Sequence, residues 1–199
     1  MNAIVDIDGV PHTPVRFNRE RLLALMEAGV LPDDRKVEMI DGVLVEMTPA
    51  KNDHGRTLSQ LIAALVPQLP DELASATDVA IYLADDVMLA PDFVVLPESI
   101  LTHNAKGPDL LLAVEVADTT VRNDLRDKAP IYARHGVVEL WVIDVRSREL
   151  IVCRGPGEDG YAEVIALSEN DEAVAAAVPT LRLRATDVLP RTTGSEPRA

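Results

Sequence analysis

Three polar residues stand where an apolar interior would not choose them. Asp92 heads the run DFVVL, Glu115 lies inside LLLAVEV (residues 110–116), and Lys128 falls in the helical pattern that follows. A carboxylate in so apolar a strand is costly unless it is paired or binds a cation. Two carboxylates on neighbouring strands would make a hard oxygen site suited to Mg²⁺ or Mn²⁺. An ammonium beside them could hold a phosphate or stabilise charge that develops as one is cleaved. A plainer reading has Glu115 salt-bridged to Lys128 or Arg122, so that it only holds the helix to the sheet. The residues alone leave both readings open.

The elements that must position these groups follow from periodicity and breakers. Residues 1–17 are interrupted by Pro and Asp and read as an N-terminal arm. Asn18 is an N-cap for a helix over 19–28, with Leu22, Leu23 and Met26 at helical spacing and Gly29 as its stop. Residues 36–40 and 43–47 flank Asp41-Gly42, the strongest hairpin signal in the chain. After Thr48-Pro49, residues 53–69 put Leu58, Leu61, Ile62 and Leu65 on one helical face, with Pro67 disturbing the last turn. Strands are expected over 79–83 and 92–96. Residues 110–116 are apolar enough for a central strand buried on both faces. Residues 122–135 read as a helix stopped by Gly136, and 137–144 as another buried strand, with Trp141 and Ile143 in the core. Strand, helix and strand in so short a span suggest a parallel crossover. Residues 149–154 and 161–167 suggest a final hairpin, with Cys153 on an edge strand. The polar tail over 191–199 reads as disordered.

Pro91-Asp92 followed by Glu115 on the next strand resembles the PD-(D/E)XK nuclease superfamily. More specifically, residues 115–144, EVADTTVRNDLRDKAPIYARHGVVELWVID, are similar to the signature block of the Uma-type restriction endonuclease family. Residues 36–47, 48–54 and 91–96 fall in the order that family shows, and the resemblance covers roughly residues 18–190. It implies a single α/β domain of the restriction-endonuclease type, with a mixed central sheet flanked by helices and an added N-terminal helix and hairpin. It also implies a metal-dependent endonuclease acting on DNA, in which Asp92, Glu115 and the backbone carbonyl of Val116 bind Mg²⁺ or Mn²⁺. The superfamily's lysine usually stands two residues after the glutamate, where this chain has Ala117. Members of the Uma-type family carry it in the next helix, which corresponds to Lys128, and a four-carbon stem gives its ammonium the reach.

Other residues are weaker candidates. Asp124 lies four residues before Lys128 on one helical face, either to orient the lysine or as a first-turn carboxylate favoured by the helix dipole. Glu38 corresponds to the family's glutamate before the hairpin and would supply a third acid. Its plainer role is a surface strand residue paired with Lys36 or Arg35. His54 serves either as a cap or loop tie or in the site. Tyr132 reads as packing. No Gly-x-Ser-x-Gly and no phosphate-cradling Gly-rich loop occur in the sequence.

Composition limits the partners. The 199 residues carry 19 Lys+Arg against 33 Asp+Glu, a net charge of −14 that repels polyanions overall. Only residues 121–154 reverse the sign, with seven basic and five acidic side chains. A single cysteine excludes an internal disulfide and any zinc site built on several cysteines. With no signal-peptide pattern and no apolar run of membrane-spanning length, a cytoplasmic protein is expected. Homodimerisation is expected too, since a symmetric pair would set two cutting sites on a duplex. The acidic balance and 3% aromatic content also leave a second class open. That alternative is a catalytically silent nuclease-fold module for binding or assembly.

Overall fold

The most apolar runs of the chain become the middle of its main sheet. In the computed structural model, residues 5–7, 10–12, 15–31, 36–47, 52–118, 121 and 124–190 are described. The first elements are β1 (Val5–Ile7), β2 (Val10–His12), α1 (Arg19–Glu27), β3 (Val37–Ile40), β4 (Val43–Glu46) and α2 (Asn52–Leu65). Next come β5 (Leu73–Thr77), β6 (Ile81–Ala84), β7 (Val87–Leu89), β8 (Phe93–Pro97) and β9 (Leu112–Ala117). The chain continues through α3 (Ala129–Arg134), β10 (Glu139–Asp144), β11 (Glu149–Gly157) and β12 (Gly160–Leu167). It ends with β13 (Glu172–Val174), β14 (Arg182–Arg184) and α4 (Ala185–Val188).

Six strands form the main sheet in the order β12-β11-β10-β9-β8-β5, and four form a second sheet, β4-β3-β7-β6. β9 pairs parallel with β10 and antiparallel with β8, so the main sheet is mixed. All six residues of β9 are buried, as a strand covered on both faces must be. One face packs Leu58, Leu61, Ile62 and Leu65 of α2 against Phe93, Val114, Val116, Trp141 and Ile143. The other packs Ala129, Ile131 and Tyr132 of α3 against Val94, Ala113, Ala117, Leu140 and Val142. The helical segment between β9 and β10 is therefore the crossover that the spacing predicts. The fold is the expected mixed α/β sheet between helices, with the N-terminal helix and hairpin added.

Local signals explain most boundaries. Asn18 caps α1 by accepting from the Arg21 N–H at 3.0 Å, and Gly29 ends it at φ +67°. Asp41 and Gly42 both take positive φ, as a two-residue type I′ hairpin turn requires. Pro67 turns the end of α2 into a 3₁₀ turn over Val66–Gln68.

Several expectations need correction. Of the three apolar residues expected to anchor α1, only Leu22 is buried, and Leu23 and Met26 face solvent. The strand expected from Val79 begins at Ile81. Cys153 is not on an edge strand: β11 lies between β10 and β12, and the side chain is buried. The helix expected over 122–135 is not regular, since Asp124–Lys128 form a π-helical turn before α3. Pro130 supplies the reason, because it lacks the N–H that would bond the Arg126 carbonyl and its ring crowds that oxygen. A widened turn is the usual relief, and such turns often occur at functional sites. Arg35, Thr48-Pro49, Arg122 and the tail over 191–199 lie outside the described residues.

Candidate active site

Strand register brings the two carboxylates face to face. β8 and β9 pair Val94 with Ala113 and Phe93 with Val114, and one further step sets Asp92 opposite Glu115 on the same face. Pro91 precedes that step, and the backbone of Asp92 leaves the ladder there. Its side chain instead completes the pairing: Oδ2 accepts from the Val116 N–H at 2.7 Å. Both carboxylates are buried at the end of the sheet.

Four other elements close around this end. The π-helical turn delivers Lys128, whose Nζ lies 2.9 Å from Glu38 Oε1, 3.4 Å from Glu115 Oε1 and 3.9 Å from Asp124 Oδ1. α3 delivers Tyr132, whose hydroxyl donates to Glu115 Oε1 at 2.7 Å. β3 of the second sheet delivers Glu38, which also accepts from the Ala90 N–H at 3.2 Å. From the opposite face, the first turn of α2 delivers His54, with Nδ1 2.8 Å from the Val116 carbonyl oxygen and Nε2 3.1 Å from Asp92 Oδ1. A carbonyl only accepts, so Nδ1 carries a hydrogen.

All the residues singled out in the sequence thus meet in one place: Asp92, Glu115, Val116, Lys128, Glu38, Asp124 and His54. Glu38 is buried on Lys128 and not a surface strand residue, and Lys36 pairs with Asp78 at 2.8 Å instead. Asp124 lies in the first turn of the π-helical segment and is buried beside Lys128. Tyr132 fills the core as expected, but it also bonds the site, which its packing role did not reveal. Its signal was legible, since Asp124, Lys128 and Tyr132 recur every four residues and so form one stripe.

The electrostatics follow from enclosing this many acids. Burial pushes the Glu115 carboxyl up to about 8, with Lys128 opposing and the carboxylates of Asp92, Asp124 and Glu38 adding to the rise. Burial works against the Lys128 ammonium, yet Glu115, Glu38 and Asp124 outweigh it and hold the lysine above its ordinary value. The bond to Asp92 raises His54, against the effect of burial. Burial, followed by the Glu115 and Glu38 charges, raises the Tyr132 phenol.

Among the described residues, no three His, Cys, Asp or Glu side chains form a ready-made metal cage. Two buried carboxylates and a backbone carbonyl nevertheless match what Mg²⁺ takes from proteins, since it keeps several of its waters. The donor set is oxygen-rich, and its acids outnumber its cations. The residues present therefore fit a hard divalent ion.

Known proteins bear on this arrangement. A crystal structure of a putative nuclease belonging to DUF820 from Anabaena variabilis ATCC 29413 is similar in fold, with a TM-score of 0.64. The likeness covers 88% of this chain and 97% of that one at 17% sequence identity. No curated protein matches the chain. Residues 20–186 match the pattern of a family described as putative restriction endonuclease. The chain belongs to this family, Uma2.

Proposed function

We propose that this protein is a divalent-metal-dependent endonuclease that hydrolyses phosphodiester bonds of DNA at a PD-(D/E)XK-type site. The observation that carries the reading is the meeting of Asp92, Glu115 and Lys128 at one buried strand end, with Lys128 Nζ 3.4 Å from Glu115. Asp92, Glu115 and the Val116 carbonyl are the groups that would hold Mg²⁺ or Mn²⁺. When bound, such an ion neutralises phosphate charge and makes water a stronger nucleophile at neutral pH. Lys128 stabilises the additional negative charge on the phosphoryl oxygens as the P–O bond breaks. Glu38 and Asp124 hold its ammonium at the site, and Tyr132 orients the Glu115 carboxyl. Around them, the strand ends of β8 and β9 keep the ligands in a fixed register.

Approach of a polyanion to so acidic a protein needs local help. Arg146 stands beside the site's end of the sheet, where the Val145 N–H bonds the Ala117 carbonyl at 2.9 Å and Arg146 Nε bonds Asp118 at 3.0 Å. Its exposed guanidinium is suited to a backbone phosphate.

Purified protein incubated with plasmid and Mg²⁺ or Mn²⁺ tests the proposal, beside Asp92→Ala and Lys128→Ala. Wild-type cutting that both variants lose is the expected result. Equal cutting by all three identifies a contaminant, and no cutting with either ion removes the enzymatic reading. A silent binding module is favoured by one observation, the engagement of Lys128 by three carboxylates; that reading predicts no cutting and no heat of Mn²⁺ binding.

A further inference from the structure

His54 reaches the strand end from the side of the sheet opposite Lys128. Its helix packs on the face lined by Phe93, Val114 and Val116, whereas Tyr132 packs on the other. One imidazole touches two groups at once, the Val116 carbonyl at 2.8 Å and Asp92 Oδ1 at 3.1 Å. The Val116 N–H closes the loop by donating to Asp92 Oδ2 at 2.7 Å. A single carboxylate and both backbone groups of a single residue are thereby joined through one ring.

We propose that His54 is a positioning residue for the cation: it fixes the Asp92 carboxylate and the Val116 carbonyl relative to each other before an ion arrives. The inference rests on reading Asp92, Glu115 and Val116 as the ion's ligands. Carbonyl and carboxylate oxygens each have more than one acceptor direction, so bonding to the ring leaves a lone pair of each for an ion. A histidine that merely anchored the start of α2 would need only one of these partners. Outer partners that orient metal ligands typically change metal affinity by about 10–100-fold when removed.

The test is Mn²⁺ binding to the full chain by electron paramagnetic resonance, with thermal unfolding followed in parallel. His54→Ala is expected to weaken Mn²⁺ binding about tenfold or more. His54→Gln can supply one of the two bonds and falls between Ala and wild type. Leu61→Ala loosens the same helix from the same core face; it lowers the melting temperature and leaves Mn²⁺ affinity unchanged. Wild-type affinity in His54→Ala overturns the proposal, and so does an equal loss in Leu61→Ala. A wild-type protein that binds no Mn²⁺ overturns the cation reading and this inference with it. Binding in wild type with unaltered binding in His54→Ala overturns this inference alone.

Discussion

Glu115 and Glu139 are the same side chain on adjacent strands of one sheet, both buried, yet their surroundings differ in kind. Glu139 sits among donors only. Trp141 Nε1–H reaches it at 2.6 Å, the Ala176 N–H at 2.6 Å and Arg154 Nε at 3.0 Å. One guanidinium and two neutral donors satisfy one carboxylate, and the charges balance. Glu115 shares a single ammonium with Glu38 and Asp124, and Asp92 lies across the ladder. Here the acids outnumber the cations, which is unfavourable for an empty protein and suited to receiving a positive ion. What separates a structural carboxylate from a candidate catalytic one is therefore the balance of charge around it, not its burial.

The largest effect that would break this comparison lies in activity. Lys128→Ala should lower plasmid cutting by about 10²–10³-fold, a typical loss for one charge-stabilising group. Glu139→Gln, assayed well below its unfolding transition, should cut within a few-fold of wild type. Similar losses in both variants would erase the distinction between the two carboxylates.

Stability should respond the other way round. Glu139→Ala strands Trp141 Nε1–H, the Ala176 N–H and Arg154, and should cost about 3 kcal/mol in urea unfolding, the scale for breaking a buried charged pair. Glu115→Gln relieves crowding among acids and keeps an acceptor for Tyr132, so it should cost little or nothing. A large loss in Glu115→Gln would mean that its ion pair with Lys128 is structural after all.

pH sharpens the contrast in the ion-free protein. The Glu115 carboxyl titrates at about 8 in the fold, above its ordinary value of 4.5, so the folded chain binds a proton that the unfolded chain releases. That contribution to stability is complete below about 4.5 and is lost as the pH rises through about 8. His54, also raised, acts in the same direction from its ordinary value of 6.5. Chemical unfolding at a series of pH values should show stability falling across this range, with a shallower fall in Glu115→Gln. An identical slope in the variant would contradict the crowding of acids around Glu115.

The smallest effect concerns Tyr132. Tyr132→Phe removes one hydroxyl bond to Glu115 and should cost about 1 kcal/mol of stability. Cutting should fall by less than tenfold. A loss as deep as that of Lys128→Ala would move Tyr132 from orienting Glu115 to acting on the substrate.

How far the sequence revealed this molecule depends on the range of the interactions. The central strands were legible because unbroken apolar runs bounded by helices have few other solutions, and the Asp41-Gly42 turn because its backbone demands are local. β1 and β2, within the stretch that reads as an arm, and β5, β7, β13 and β14 are not legible in the sequence. They are three to five residues long, too short to carry a pattern of their own; β5 takes its pairing from β8 further along the chain, whereas β7 folds back on β6 across the turn at Asp85-Asp86 and β13 pairs only with β14. In the candidate site, Asp92, Glu115 and Lys128 stood out as polar residues in apolar surroundings. By the same criterion Glu139 should have stood out too, since it lies in the run VVELWVID. The sequence does not distinguish it from Glu115, because its donors come from Arg154 on the antiparallel partner strand and from Ala176 beyond the next hairpin. Glu38 stays open between two roles in the sequence for the same reason: its burial depends on the second sheet, whose position the sequence does not show.

The central claim is that Asp92, Glu115 and the Val116 carbonyl together hold a divalent ion. A crystal of the wild-type protein soaked in Mn²⁺ and measured for anomalous scattering tests it most directly. A peak between the two carboxylates, within bonding distance of Asp92, Glu115 and the Val116 carbonyl, is the predicted result. Strong Mn²⁺ density elsewhere with nothing between these strands, or no density at a saturating concentration, would contradict it.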